Sequence, residues 1–208
     1  MTAEAALLEV KALTCIKGDL TLFENLNFSL FPGEILHIAG ENGTGKTSLL
    51  KLIAGLGYAE SGEIRFKGYT HSEEESNFLE SMRYIGHQNG FSLSLSALQN
   101  LEFAQSVYGL SNIDIMSLLK EFSLFPQALT SFKYLSRGQK QRLALARLKL
   151  GQSSLWILDE PATALDQKGL DLVNRLFYEH AENGGGIIFS SHQDLQMDSV
   201  QIKTLNLH

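Results

Sequence analysis

Apolar positions recur through the first thirty residues at Leu8, Val10, Leu13 and Cys15, then at Leu22, Leu26, Phe28 and Leu30. This spacing predicts strands with one buried face, and Pro32-Gly33 ends them with a turn. Ile35 to Ala39 is instead a nearly continuous apolar run, the pattern of a strand covered on both faces. It leads directly into glycine-rich sequence. From Lys46 the spacing of Leu49, Leu50, Leu52 and Ile53 predicts a short helix stopped by Gly55 and Gly57. Ile64 to Phe66 and Met82 to Ile85 read as further strands.

From about Ser92 to Leu150 the period becomes helical. Ser96-Ala97-Leu98-Gln99 has the form of a capping box and precedes Leu101, Phe103, Ala104 and Val107. Ile113, Ile115, Met116, Leu118 and Leu119 suggest a second helix, and Pro126 breaks the chain. Ser136-Arg137-Gly138-Gln139 is another capping box, opening a helix through Leu143, Leu145, Ala146 and Leu148. Then come a strand at Leu155 to Leu158, a helix around Leu170 to His180 closed by Asn183 and Gly184-Gly185-Gly186, and a strand at Ile187 to Phe189. Strands alternate with helices at both ends of the chain. The expectation is an α/β fold with a mostly parallel core sheet, antiparallel N-terminal strands and a helical subdomain. Residues 1–208 form one domain on this reading, with 1–90 and 151–208 as the α/β core and 91–150 as the helical part.

Charge and cysteine content narrow the function classes. The 208 residues hold 17 Lys and Arg against 23 Asp and Glu, a net charge of −6, with no block of consecutive basic residues. A nucleic-acid-tracking surface is therefore not expected. Cys15 is the single cysteine, which excludes a disulfide framework and a Cys-x-x-Cys metal or redox pair and fits a reducing compartment. The first ten residues lack the basic start and apolar length of a secretory signal, and no apolar run suits a membrane helix. The chain is expected to be soluble by itself.

Gly40-Glu41-Asn42-Gly43-Thr44-Gly45-Lys46-Thr47 fits Gly-x-x-x-x-Gly-Lys-Thr, after a buried strand and at a helix start, where a phosphate-cradling loop must sit. Glycines let backbone N–H groups turn inward around phosphate oxygens, and the helix N-terminus adds its positive dipole end. Lys46 would reach the β and γ phosphates of ATP, the Thr47 hydroxyl would coordinate Mg2+, and Ser48 continues the nucleotide-binding turn. In Leu155-Trp156-Ile157-Leu158-Asp159-Glu160 a buried strand presents two acids at its C-terminal end. Asp159 would hold the metal through water, and Glu160 would polarise the attacking water. Glu73-Glu74-Glu75 reads as a solvated loop edge, Trp156 as core, and His87 as positional.

With these motifs in place the chain resembles the ATP-binding subunits of ABC transporters along essentially its whole length. Leu135-Ser136-Arg137-Gly138-Gln139 is similar to that family's Leu-Ser-Gly-Gly-Gln signature, with Arg137 in place of the first glycine. The resemblance implies two ATPs held between two head-to-tail copies, each phosphate loop facing Ser136, Gly138 and Gln139 of the other. It assigns Gln88 to the metal and attacking water, His192 to the γ phosphate, and Asp166 of Ala164-Leu165-Asp166 to a contact across the two copies. The family's adenine-stacking aromatic is missing. The matching stretch reads Cys15-Ile16-Lys17-Gly18, so Ile16 offers apolar contact without stacking, and GTP is expected to substitute for ATP.

Ile85 to Phe91, Leu95 to Leu101, Leu145 to Leu148, Leu155 to Pro161 and Ser191-His192-Gln193 are similar to the haem-exporter ATP-binding subunits of bacterial cytochrome c maturation. This implies integral membrane permease subunits as partners and a peripheral place on the cytoplasmic face of the bacterial inner membrane. Absence of a Cys-x-x-Cys-His motif argues against haem ligation by this chain itself. An ATPase subunit of another small-substrate exporter is the alternative. A DNA-repair or translation ATPase would need coiled-coil insertions or tandem cassettes. A phosphate-loop kinase would leave Leu135 to Gln139 and His192 without a role.

Overall fold

The computed structural model describes residues 5–70, 73, 78, 80–87, 90–109, 113–191 and 201–208. Strands β1 (Leu8–Lys17) and β2 (Leu20–Leu30) pair antiparallel with Leu8 opposite Leu30 and Val10 opposite Phe28. Their pairing shifts register between Val10 and Leu13, where Ala12 takes a φ of 49° and its N–H donates to Asn27 Oδ1 at 2.8 Å. After β3 (Ile35–Ala39) come β4 (Ser61–Phe66) and the two-residue β5 (Tyr69–Thr70), which complete a sheet in the order β2-β1-β4-β5. Gly62 passes so close to the bulge that a Cβ there would lie 2.4 Å from the Ala12 carbonyl oxygen. Only glycine leaves room for that crossing.

The second sheet adds β6 (Met82–Ile85), β7 (Leu155–Asp159), β8 (Gly186–Ser190) and β9 (Ile202–Asn206), in the order β6-β7-β8-β3-β9. The pairings of β7 with β8, β8 with β3 and β3 with β9 are all parallel. Every residue of β7 and β8 is buried, as a parallel sheet's central strands must be. Gly186 begins β8, opposite Leu155, instead of closing the preceding helix, and a Cβ there would meet the Leu7 and Leu30 side chains at 2.5 and 2.6 Å. Strand β9 was not expected from the apolar pattern.

Helix α1 (Lys46–Ile53) begins where the sequence predicts and buries Leu49, Leu50, Leu52 and Ile53. In α2 (Ala97–Val107) the Ser96 capping box is formed in both directions: Gln99 N–H donates to Ser96 Oγ, and Ser96 N–H to Gln99 Oε1. Helix α3 (Ile115–Glu121) starts two residues later than its apolar pattern, because the Asp114 carboxylate accepts from the Met116 and Ser117 N–H groups. Helices α4 (Arg137–Ala146) and α5 (Gln167–Glu182) follow.

The chain divides into two compact units, one of residues 1–84, 153–160 and 176–208, the other of 85–152 and 161–175. The first carries an apolar core in which Leu8, Leu30, Ile38, Leu49, Leu50, Ile53, Leu155 and Ile157 have no exposed surface. In the second, Leu101, Leu119, Phe122, Leu124, Leu143 and Leu145 are fully buried. No helix among the described residues is long and apolar enough to cross a membrane.

Candidate functional site

The loop from Gly40 to Gly45 connects the end of β3 to the start of α1. Gly40 takes a φ of +149°, and a Cβ on it would lie 2.7 Å from both the Leu207 carbonyl oxygen and Thr44 Oγ1. Gly45, at φ +100°, begins the helix with no side-chain cap and no acidic residue in the first turn. The N–H groups of that turn, including those of Thr47 and Ser48, are therefore left for an incoming anion. Lys46 folds back over the loop and is 8% exposed, its Nζ donating to the carbonyl oxygens of Gly40 at 2.7 Å and Glu41 at 2.9 Å. Glu41, Asn42 and Gly43 form the exposed rim, and Thr44 Oγ1 donates back to the Glu41 carbonyl at 3.0 Å.

Asp159 ends β7 directly opposite Ser190, the last residue of β8. It is 5% exposed, and both carboxylate oxygens are engaged: Thr47 Oγ1 donates to Oδ2 at 2.9 Å and Ser190 Oγ to Oδ1 at 2.7 Å. The Tyr84 phenol is pushed up to about 12, first by burial and then by the negative charge of Asp159. Glu160 takes a left-handed φ of 57°, a conformation that costs a non-glycine residue roughly 1–2 kcal/mol. Its N–H is anchored by Ser190, to the carbonyl at 3.2 Å and to Oγ at 3.1 Å. Ser190 thus organises both acids; its only trace in the sequence is a hydroxyl at the C-terminal end of an apolar strand. His37 Nε2 lies 3.2 Å from the Ser191 carbonyl, with its ring stacked on Phe189.

In the second unit Ser136 caps α4, with Gln139 N–H donating to Ser136 Oγ at 3.2 Å and Ser136 N–H to Gln139 Oε1 at 2.8 Å. Ser136, Gly138 and Gln139 share an open cleft of about 440 Å3 with Arg142, Ala164 and Asp166. Asp166 caps the start of α5 through the Gly169 N–H and pairs with Arg142. Those contacts, the Gly169 N–H first and the guanidinium second, hold its carboxyl below the usual carboxylate range.

The structure therefore brings Lys46, Thr47, Asp159 and Glu160 together in the first unit, and Ser136, Gly138, Gln139 and Asp166 together in the second. Ile16 ends up on the exposed side of β1, with 44% of its surface accessible. Gln88 and His192 lie outside the described residues. Among the described residues no group of three or more His, Cys, Asp or Glu side chains is arranged to hold a metal. Thr47 and Asp159 offer oxygen donors of the hard type that Mg2+ takes, with phosphate and water left to complete the shell.

The profile of the family described as ABC transporter matches residues 23–163. A cytochrome c biogenesis ATP-binding export protein CcmA from Aliivibrio fischeri is 41% identical over 97% of this chain and 99% of its own length. The protein of that name from Vibrio parahaemolyticus is 42% identical with the same coverage, and that from Yersinia pestis is 39% identical over 97% of this chain and 93% of its own. Among solved structures, an ATP-binding subunit of an ABC transporter superposes with a TM-score of 0.80 at 29% identity, covering 89% of this chain and 79% of that one. A dimeric bacterial ABC transporter cassette shares the fold, with a TM-score of 0.83 at 22% identity over 96% and 94% of the two chains. With this likeness running nearly end to end, the chain belongs to the ABC transporter family as one of its ATP-binding, ATP-hydrolysing subunits.

Proposed function

We propose that the chain hydrolyses MgATP to drive a membrane complex that exports or releases haem for cytochrome c biogenesis. The observation that carries the chemistry is the hydrogen-bonded chain from Thr47 through Asp159 to Ser190, which fixes the helix of the phosphate loop and both acids in one small volume. The cargo reading is supported by relatives named for cytochrome c biogenesis at about two-fifths identity over nearly the whole chain.

In this reading the Lys46 ammonium exchanges its bonds to the Gly40 and Glu41 carbonyls for β and γ phosphate oxygens of ATP. Backbone N–H groups of Gly43 to Ser48 converge on the same oxygens. The Thr47 hydroxyl and, through water, the Asp159 carboxylate would hold Mg2+, which when bound would supply positive charge to those oxygens. Glu160 accepts the proton of the attacking water, its backbone held in place by Ser190. Gln88 and His192 orient that water and the γ phosphate. Ile16 covers the base.

Ser136, Gly138 and Gln139 close on the nucleotide of a second copy, so two chains complete two sites head to tail, with Asp166 reaching across. The partners are integral membrane permease subunits. The chain then sits peripherally on the cytoplasmic face of the inner membrane, and the helical part near Phe91 to Leu101 passes the motion to those subunits. Residues 1–90 and 151–208 carry the nucleotide.

The test is to purify the tagged chain from solubilised membranes, identify co-purifying integral subunits and bound porphyrin, and measure phosphate release with and without them. Porphyrin-containing membrane subunits that raise phosphate release are expected. Stimulation by a permease carrying no porphyrin would move the assignment to another exporter. A phosphorylated small-molecule product would point to a kinase.

A further inference from the structure

Helix α4 is stitched to the turn that follows Glu160 by consecutive contacts on one of its faces. Gly138, Gln141 and Arg142 stand at i, i+3 and i+4, so they share that face. A Cβ at Gly138 would lie 2.8 Å from the Ala164 carbonyl oxygen, so backbone meets backbone there. Gln141 Nε2 donates to the Pro161 carbonyl at 2.9 Å, and the Arg142 guanidinium donates to Asp166 Oδ1. The 161–166 turn is thus held at its start, near its end and at its last residue. Ala164 takes a φ of 63°, a conformation that persists in a non-glycine residue only where its surroundings hold it.

Of these contacts the ion pair is the one with reach. The Arg142 side chain is only 16% exposed, while the Asp166 carboxylate it holds is 65% exposed. The same Asp166 oxygen accepts from the Gly169 N–H, which fixes the first turn of α5. One guanidinium therefore ties the helix bearing Ser136 to both the 161–166 turn and the start of α5. Pro161 follows Glu160 directly in the chain.

We propose that Arg142 is a positioning residue for hydrolysis: through Asp166 it locks the 161–166 turn to α4, so that engagement of Ser136 and Gly138 sets the placement of Glu160. This inference rests on the two-copy reading of the site. Arg142 itself touches no nucleotide in it. Loss of the lock affects turnover more than nucleotide capture, which belongs to Lys46 and the 40–45 loop.

The experiment compares the full-length wild type, Arg142→Ala and Arg142→Lys by amide hydrogen exchange without nucleotide and by steady-state MgATP hydrolysis, with Glu160→Gln sized in MgATP as a control. For Arg142→Ala, exchange at 162–169 is expected to rise about tenfold and kcat to fall about tenfold, the scale of one charge-assisted hydrogen bond, with KM unchanged. Arg142→Lys is expected to recover most of both. Wild-type exchange or wild-type kcat in Arg142→Ala, while Glu160→Gln forms its dimer, overturns the lock alone. A parallel loss of kcat, KM and melting temperature that Arg142→Lys does not rescue reduces Arg142 to a purely structural contact and also overturns it. A Glu160→Gln chain that stays monomeric in MgATP removes the two-copy reading, and the inference falls with it.

Discussion

Thr47 Oγ1 donates to Asp159 Oδ2 at 2.9 Å, joining the first turn of α1 to the end of β7 across 112 residues of sequence. The hydroxyl of a phosphate-loop helix and the carboxylate of the acidic strand thereby form one hydrogen-bonded unit. Ser190 completes it from the other side, through Asp159 Oδ1 and the Glu160 N–H.

Ser190→Ala tests that unit. It removes a buried donor to Asp159 and an acceptor from Glu160, leaving the apolar packing of β8 in place. Two lost hydrogen bonds in a buried site are expected to cost about 1–3 kcal/mol, or roughly 3–9 °C in melting temperature for a chain of this size. Hydrolysis is expected to fall further than this, because Glu160 loses one of its two backbone anchors. Differential scanning calorimetry and phosphate release read the two effects separately; a wild-type melting temperature would count against the role given to Ser190.

Gly45→Ala tests the loop. Its φ of +100° belongs to the left-handed region, and a Cβ would press on Leu22 Cβ at 3.0 Å and on the Phe23 ring at 3.2 Å. Backbone strain of about 1–2 kcal/mol is expected, with loss of nucleotide binding as the helix N-terminus shifts. Titration with a fluorescent ATP analogue measures the binding. Gly43→Ala, where a Cβ meets nothing within 4 Å, is expected to be the milder change.

His180 makes folding stability depend on pH. Its ring stacks on Trp156 at 3.8 Å, and burial pushes its pKa down from 6.5 to about 4, opposed by the Gly186 backbone carbonyl, which accepts from the ring. The unfolded chain therefore binds the proton first. Between pH 6.5 and 4 stability falls as pH falls, by a total on the order of 3 kcal/mol, and the effect is flat above and below that window. Denaturant unfolding followed by Trp156, the sole tryptophan, measures it. His180→Phe is expected to remove most of this dependence while keeping the stack.

Ile16, 44% exposed, would on the proposed reading give the base an apolar contact without an aromatic face. Hydrolysis of GTP at a rate similar to that of ATP is expected. A strong preference for ATP would mean that another residue recognises adenine.

Much of the fold was legible because local chemistry determined it. The capping boxes at Ser96 and Ser136 form as their spacing suggests, and Leu155 to Leu158 is buried along its whole length, as a continuous apolar run requires. Strand β9 is not legible in the pattern because its partly exposed residues have no apolar signature; its order comes from pairing with β3 at the sheet edge. The Asp114 cap is not legible in the apolar pattern, because a cap acts on the backbone and leaves no periodic trace. In the site, the loop and the acidic strand stand out as motifs. Ser190 does not, because its role arises only when β7 and β8 lie side by side and bring it opposite Asp159.

The central claim, an ATP site completed by a second copy, is tested most directly by sizing Glu160→Gln with light scattering, with and without MgATP. Removing the carboxylate proposed to accept the water's proton leaves the phosphate loop and Ser136 intact, so bound ATP should persist and hold two chains together. The expected result is a monomer without nucleotide and a dimer of twice the mass with MgATP. A chain that binds MgATP yet stays monomeric would contradict the claim.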